Sequence, residues 1–179
     1  KHKDLVGVVR LMMKGLIIAA AALVTASAFL FMPAENWPAF GTEAQSTRKR
    51  AIDTPDAPKA IGPYSQAIVA NGVVYAAGQI AIDPRSGALI TGGIEEQTEQ
   101  VLKNLEAVLK AAGSSIDDVI KTTVVMADIN DFAKMNAVYA KRFAAPFPAR
   151  STLEAARLPK DALVMIEAVA LVRQDKPVK

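Results

Sequence analysis

Cysteine is absent from the 179 residues, and the single histidine is His2. The first absence removes disulfides, thiolate nucleophiles and thiolate metal sites together. The second removes histidine ligation and any Ser–His or Cys–His catalytic pair from the rest of the chain. Positive charge is scarce where a nucleic-acid partner would need it. The net charge is +3, yet residues 1–53 hold seven Lys/Arg against four Asp/Glu, and residues 54–179 hold fourteen of each. The body is therefore neutral, and the pI of about 9.2 describes the first 53 residues. No run of Lys/Arg interleaved with aromatic residues appears in the body, so no nucleic-acid partner is expected.

What is present divides into a tail and one domain. Lys1, Lys3, Arg10 and Lys14 precede the apolar run "GLIIAAAALVTASAFLFM", Gly15 to Met32. A basic start, an apolar stretch and small residues make the pattern of a secretory signal peptide, with "ASA" at 26–28 as a small-x-small cleavage site. Eighteen residues also reach the lower limit for a membrane span. Residues 1–34 are thus read as a signal peptide or N-terminal membrane anchor. The protein is expected to be exported, periplasmic or secreted, with an uncleaved anchor as the alternative and an organelle transit peptide as a third reading. Met12 or Met13 followed by Lys14 offers a more ordinary start than Lys1. Residues 35–53 read as a polar linker, and 54–179 as the folded domain.

Within the domain, "AIVANGVVYAAGQIAID" sets Asn71-Gly72 between two apolar runs, a strong hairpin signal. "DPRSG" at 83–87 is a second turn. "IEEQTEQVLKNLEAVLKAAG", 94–113, predicts an amphipathic helix with Ile94, Thr98, Val101, Leu105, Val108 and Ala112 on one stripe. Glu95 and Glu96 suit its first turn and Lys110 its last, and Gly113 ends it. "DVIKTTVVMADI" is rich in β-branched residues and predicts a strand. "DFAKMNAVYAKRF", 131–143, predicts a second helix with Phe132, Met135, Val138, Tyr139 and Phe143 inward. "ARSTLEAA" and "ALVMIEAVALV" predict the last strands. The order is β-β-α-β-α-β-β or close to it, an α+β sandwich with helices on one face of a sheet. "VIKTTVVMADI" and "ALVMIEAVALV" are apolar on more than one face, so a body of this size is expected to bury its second sheet face against other copies.

Three ordered segments now carry a resemblance: "IGPYSQAIVANGVVYAAGQIAIDPRSG", "TEQVLKNLEAVLKAAGSSIDDVIKTTVVMADINDFAKMNAVYAKRF" and "FPARSTLEAARLPKDALVMIEAVAL". Together they closely resemble the RidA/YjgF family over about residues 54–173. The resemblance implies a chorismate-mutase-like fold: a β-sheet with two helices packed on one face, assembled as a homotrimer around a central barrel, with ligand clefts between subunits. It implies hydrolysis of reactive 2-imino acids or their enamine tautomers (2-iminobutanoate, 2-iminopropanoate) to 2-keto acids and ammonia. It implies no metal and no organic cofactor, and small 2-imino and 2-keto carboxylates as ligands.

By the same resemblance Arg150 holds the substrate carboxylate, a task that suits a guanidinium fork. Considered as a residue in a strand, Arg150 has a bland alternative: an edge-strand arginine paired with Glu154. Tyr64 matches the tyrosine of the cleft wall, and Gly78 the glycine whose backbone amide approaches the ligand. Phe132 and Asn136 match positions lining the cleft from the neighbouring subunit. The departures are specific. Thr152 stands where imine-hydrolysing members usually have cysteine, and Ala77 where they have serine. Met165 occupies the position of the glutamate that positions or activates water, and a thioether cannot do that work. Glu167 is present and shares a strand face with residue 165, but lies about 6–7 Å along it. Two readings follow. One is a divergent imine deaminase that relies on Arg150 and on a water held by backbone carbonyls or Thr152. The other is a non-catalytic module for small carboxylates. A third, weaker reading comes from ribonuclease or chaperone-like roles described for some members; the neutral body gives it little support.

Overall fold

Asn71 and Gly72 both adopt positive φ, 50° and 73°. That is the backbone of a two-residue turn whose twist matches the flanking strands. In the computed structural model, which describes residues 49–173, this turn joins β2 (Ala67–Ala70) to β3 (Val73–Gln79), with Ala70 opposite Val73. The other strands are β1 (Arg50–Ile52), β4 (Val119–Met126), β5 (Ala149–Glu154) and β6 (Val164–Leu171). The sheet order is β1-β2-β3-β6-β4-β5. Only the β4–β5 pair is parallel, and α2 (Phe132–Arg142) makes the crossover between them. β1 corrects the sequence reading at one place. Residues 50–52 lie in the segment read as linker, yet they pair antiparallel with β2, Ile52 opposite Ala67. Residues 1–34, where the leader or anchor was read, lie outside the described residues.

The first helix, α1 (Ile94–Ala111), forms where the apolar stripe predicts it. Its C-terminus is closed by Gly113 at φ 82°. Gly113 N–H donates to Lys110 O at 3.1 Å and Ser114 N–H to Leu109 O at 2.9 Å, the paired bonds of a glycine-terminated helix. At the N-terminus the Glu96 carboxylate reaches back to the Gly93 N–H at 2.8 Å. Val101, Leu102, Leu105, Val108 and Leu109 of α1 are buried, as are Met135, Val138 and Tyr139 of α2. They pack on Val74, Ala76, Val124, Val164, Ile166, Ala168 and Ala170 of the sheet in one continuous core. Burying each Leu or Val is worth about 1.5–3 kcal/mol. The helices therefore hold one sheet face strongly.

β6 alternates: Val164, Ile166, Ala168 and Ala170 are buried, while Met165, Glu167, Val169 and Leu171 point the other way. No α-helix packs on that second face among the described residues; Ile80, Ile82, Leu158 and Ala162 cover it at Val125 and Met165. Tyr75 and Leu171 on it remain 52% and 48% exposed.

Two buried amides fix the loops at the β3 end of the sheet. Gln66 accepts from Thr54 N–H at 2.7 Å and donates to Pro58 O at 2.8 Å, tying residues 54–58 to the sheet. Asn104 on α1 donates to Ile80 O at 3.1 Å and Ile82 O at 2.8 Å. Buried amides placed this way satisfy backbone groups that irregular segments would otherwise strand.

Candidate functional site

Arg150 lies on β5, the edge strand, in register with Thr122. Thr122 faces the helices, where its hydroxyl meets the Tyr139 hydroxyl at 2.8 Å. Side chains in register on neighbouring strands share a face, so Arg150 also faces α2. Its guanidinium carbon sits 4.6 Å from the centre of the Tyr139 ring and 5.5 Å from that of Phe132. Both contacts are cation–π distances. Tyr139 stacks in turn on Phe143, with ring centres 4.3 Å apart. Burial is the main cause raising the Tyr139 phenol above its ordinary value, against the Thr122 hydrogen bond and the Arg150 charge. The platform under the guanidinium is therefore a neutral ring.

The donors of that guanidinium are unspent. Arg85, Arg142, Arg157 and Arg173 each pair with a carboxylate. Among the described residues Arg150 alone of the arginines from 54 to 173 has none. Glu154, the partner that an edge-strand reading would give it, instead accepts from the Ile129 N–H at 2.9 Å. Arg150, Asn136, Tyr139, Ala140, Phe147 and Pro148 line a cavity of about 330 Å³. Phe132 and Asn136 thus stand beside Arg150 within one chain. Tyr139 is the residue sequence reading gave to the core alone. The signal for its second role is its spacing, since Phe132, Asn136 and Tyr139 recur at i, i+4 and i+7 on one helix stripe.

Tyr64 and Gly78 lie elsewhere. They line a cavity of about 300 Å³ together with Ile61, Ala77, Met165 and Glu167. Met165 pairs with Val125 and Glu167 with Thr123 on the sheet face away from the helices, where Ile80, Ile82, Leu158 and Ala162 pack on Met165 and Val125. The Tyr64 ring is 47% exposed, and its hydroxyl accepts from the Ile61 N–H at 3.3 Å. The close approach that glycine permits at position 78 is made by Met165. A Cβ there would stand 2.7 Å from the thioether sulfur and 2.9 Å from Cγ. Thr152 lines neither cavity, and its register neighbour is the buried Val124. No group of three or more His, Cys, Asp or Glu able to hold a metal ion occurs among the described residues.

The described chain therefore carries two cavities on opposite faces of one sheet. One presents a free guanidinium on an aromatic bed. The other presents an apolar wall with a carboxylate at its edge.

Comparison with known proteins agrees with this architecture. The family model described as endoribonuclease L-PSP matches residues 54–172. A human protein named 2-iminobutanoate/2-iminopropanoate deaminase is 50% identical over 123 residues, covering 69% of this chain and 90% of that protein. The solved structure of YyfA, a conserved Rid family protein from Yersinia pestis, superposes with a TM-score of 0.68 at 52% identity, over 70% of this chain and all of that one. TdcF from E. coli, solved with bound serine, superposes with a TM-score of 0.65 at 40% identity, over 70% of this chain and 99% of that one. With its sheet, helices and matched residues 54–172 taken together, the chain is a member of the RidA/YjgF family.

Proposed function

We propose that this protein hydrolyses small 2-imino acids, or their enamine tautomers, to 2-keto acids and ammonia. The observation that carries the reading is Arg150: a half-buried guanidinium stacked on Tyr139 with no carboxylate partner among the described residues. A stacked, unspent fork in a partly desolvated cavity suits a planar carboxylate, bound through two charge-assisted hydrogen bonds. Relatives named as imine deaminases, matched over 90% of their own length, support the reading, as does a relative solved with serine, a small amino acid.

In this proposal the two cavities are half-sites that join in a homotrimer. The uncovered face of Tyr75, Val169 and Leu171 packs against other copies, and Arg150 of one subunit meets the cleft of Tyr64, Gly78 and Met165 of the next. The carboxylate is held at Arg150, and the imine carbon lies toward the apolar wall. Phe132 and Asn136 border the carboxylate end. The run from Gly15 to Met32 serves in the same proposal as an export signal or anchor.

A second reading is favoured by one observation. Met165 lies against Gly78, where the resemblance implies a glutamate, which fits a cleft that binds carboxylates without turning them over. One assay separates the two. 2-Iminobutanoate or 2-iminopropanoate is generated in situ and ammonia release is followed with and without the protein. Acceleration is expected. No acceleration, with 2-ketobutanoate still bound, establishes the binding module instead.

A further inference from the structure

We propose that Glu167 is the carboxylate that takes the proton from the attacking water, in place of an acid at position 165. The inference rests on imine hydrolysis in the Tyr64 cleft. Three features of the molecule carry it.

The first is the donor set. The titratable side chains lining the cleft are Lys59, Tyr64 and Glu167, and Glu167 is the sole carboxylate among them. The second is the ladder. β3 and β6 pair as Ala76 with Ala168 and as Gln79 with Ile166, so Ala77 and Gly78 together stand opposite Glu167. Two residues against one is a β-bulge, which bends its strand and re-aims side chains. Residues 165 and 167 are separated by about 6–7 Å along β6, so Glu167 holds its water at a different point of the cleft wall from an acid at position 165. The bulge sets Gly78 beside both points. Gly78, which touches the Met165 thioether, is also one of the two residues facing Glu167. The cleft wall thus serves both positions. The third feature is availability. Among the described residues Glu167 joins no ion pair, and its register neighbour on β4 is the uncharged Thr123. The charged and titratable groups around it on this face are Lys121 on β4, Tyr75 on β3, and Lys59 and Tyr64 at the rim.

The step balances without a cofactor. Glu167 accepts one proton from water as the water oxygen bonds to the iminium carbon. The C=N π pair moves to nitrogen and gives a carbinolamine. Nitrogen then takes the proton back from Glu167, the C–N bond breaks, and Glu167 accepts the hydroxyl proton as the C=O forms; that proton passes to the departing ammonia, which leaves as ammonium. Carbon keeps its oxidation level throughout.

The test compares Glu167→Gln and Glu167→Asp with the wild type, on 2-iminopropanoate generated in situ, with sedimentation as the check on assembly. Glu167→Gln is expected to lower kcat by on the order of 10²–10⁴-fold with KM little changed. It should also abolish the acid limb of the kcat profile. Glu167→Asp should keep that limb at a reduced rate. An unchanged kcat in Glu167→Gln overturns the assignment, as does a loss confined to KM. Should Glu167→Gln fail to assemble, Glu167→Asp decides: an unchanged kcat with the carboxyl drawn back by one methylene overturns the assignment. A wild type that does not accelerate hydrolysis at all removes imine hydrolysis itself, and this inference with it.

Discussion

Arg150 and Met165 stand on opposite faces of one sheet. Arg150 is in register with Thr122, under the helices, and Met165 is in register with Val125, on the face away from them. No side-chain rotation in a single chain brings the two together. If they serve one cleft, two chains must build it. Defects in the two halves should then complement. Co-expression of Arg150→Ala with Gly78→Val is expected to give mixed assemblies with measurable imine hydrolysis, although each variant alone has little. Valine at 78 blocks its half because a Cβ there already collides with the Met165 thioether. Assemblies as inactive as either parent would mean that both defects fall in the same cleft half.

The uncovered face is expected to be the assembly surface. Tyr75 and Leu171 contribute little to the fold of one chain, being 52% and 48% exposed. Tyr75→Glu should therefore dissociate the protein while leaving circular dichroism native-like. Sedimentation at micromolar concentration reads the outcome. A variant that still sediments with the wild type would place the contact elsewhere.

Arg150→Ala should weaken binding of 2-ketobutanoate by some tens to hundreds-fold, or about 2–4 kcal/mol for one charge-assisted fork. Its Tm should move little, because the guanidinium has no carboxylate partner within the described chain. Arg150→Lys should fail nearly as badly, since an ammonium neither forks nor lies flat on Tyr139. Calorimetric titration and a melting scan check both halves. Unchanged affinity, or collapse of the fold, would make Arg150 structural.

These expectations show how far the sequence reaches. The hairpin at Asn71-Gly72, the end of α1 at Gly113 and the alternation of β6 were all readable, because each depends on a short local pattern. β1 was not, because Arg50–Ile52 carries a charge and no alternation, and its strand state comes from pairing with β2. Tyr64, Gly78, Asn136 and Arg150, named from ordered motifs, do line cavities. Their division between two cavities could not be read, because parity within a strand does not say which face another strand presents to the helices. The bulge at Ala77–Gly78 was hidden for the same reason: it is a property of the pairing with β6.

Acid should loosen the contact between the helices. Arg142 at the end of α2 pairs with Glu99 and Glu106 of α1. The hydrogen bond from Arg142 is the main cause holding the Glu99 carboxyl below its ordinary value. A depressed folded value means that the pair stabilises the fold above the unfolded carboxylate range, and that this contribution disappears as pH falls through the folded value. Both side chains are partly exposed, so the effect of Arg142→Ala should be at most about 1 kcal/mol near neutrality. The difference in Tm from the wild type should shrink on acidification. A difference that grows in acid would show that Arg142 acts through packing rather than charge.

Met165→Glu tests what the thioether does. The new carboxylate would stand against Gly78 and share a strand face with Glu167, about 6–7 Å away. Two carboxylates so placed oppose each other's ionisation, which raises the value at which the second loses its proton. The acid limb of the imine-hydrolysis profile should therefore move to higher pH than in the wild type. Above that limb the rate should rise, because a second acceptor can hold the water that Met165 cannot. Stability should fall by about 1–3 kcal/mol, since the acid replaces an apolar contact and lacks a partner in its own chain. The pH profile of kcat, measured beside a melting scan, separates these effects. A variant that folds well and keeps both the wild-type rate and the wild-type limb would show that water is handled away from this strand.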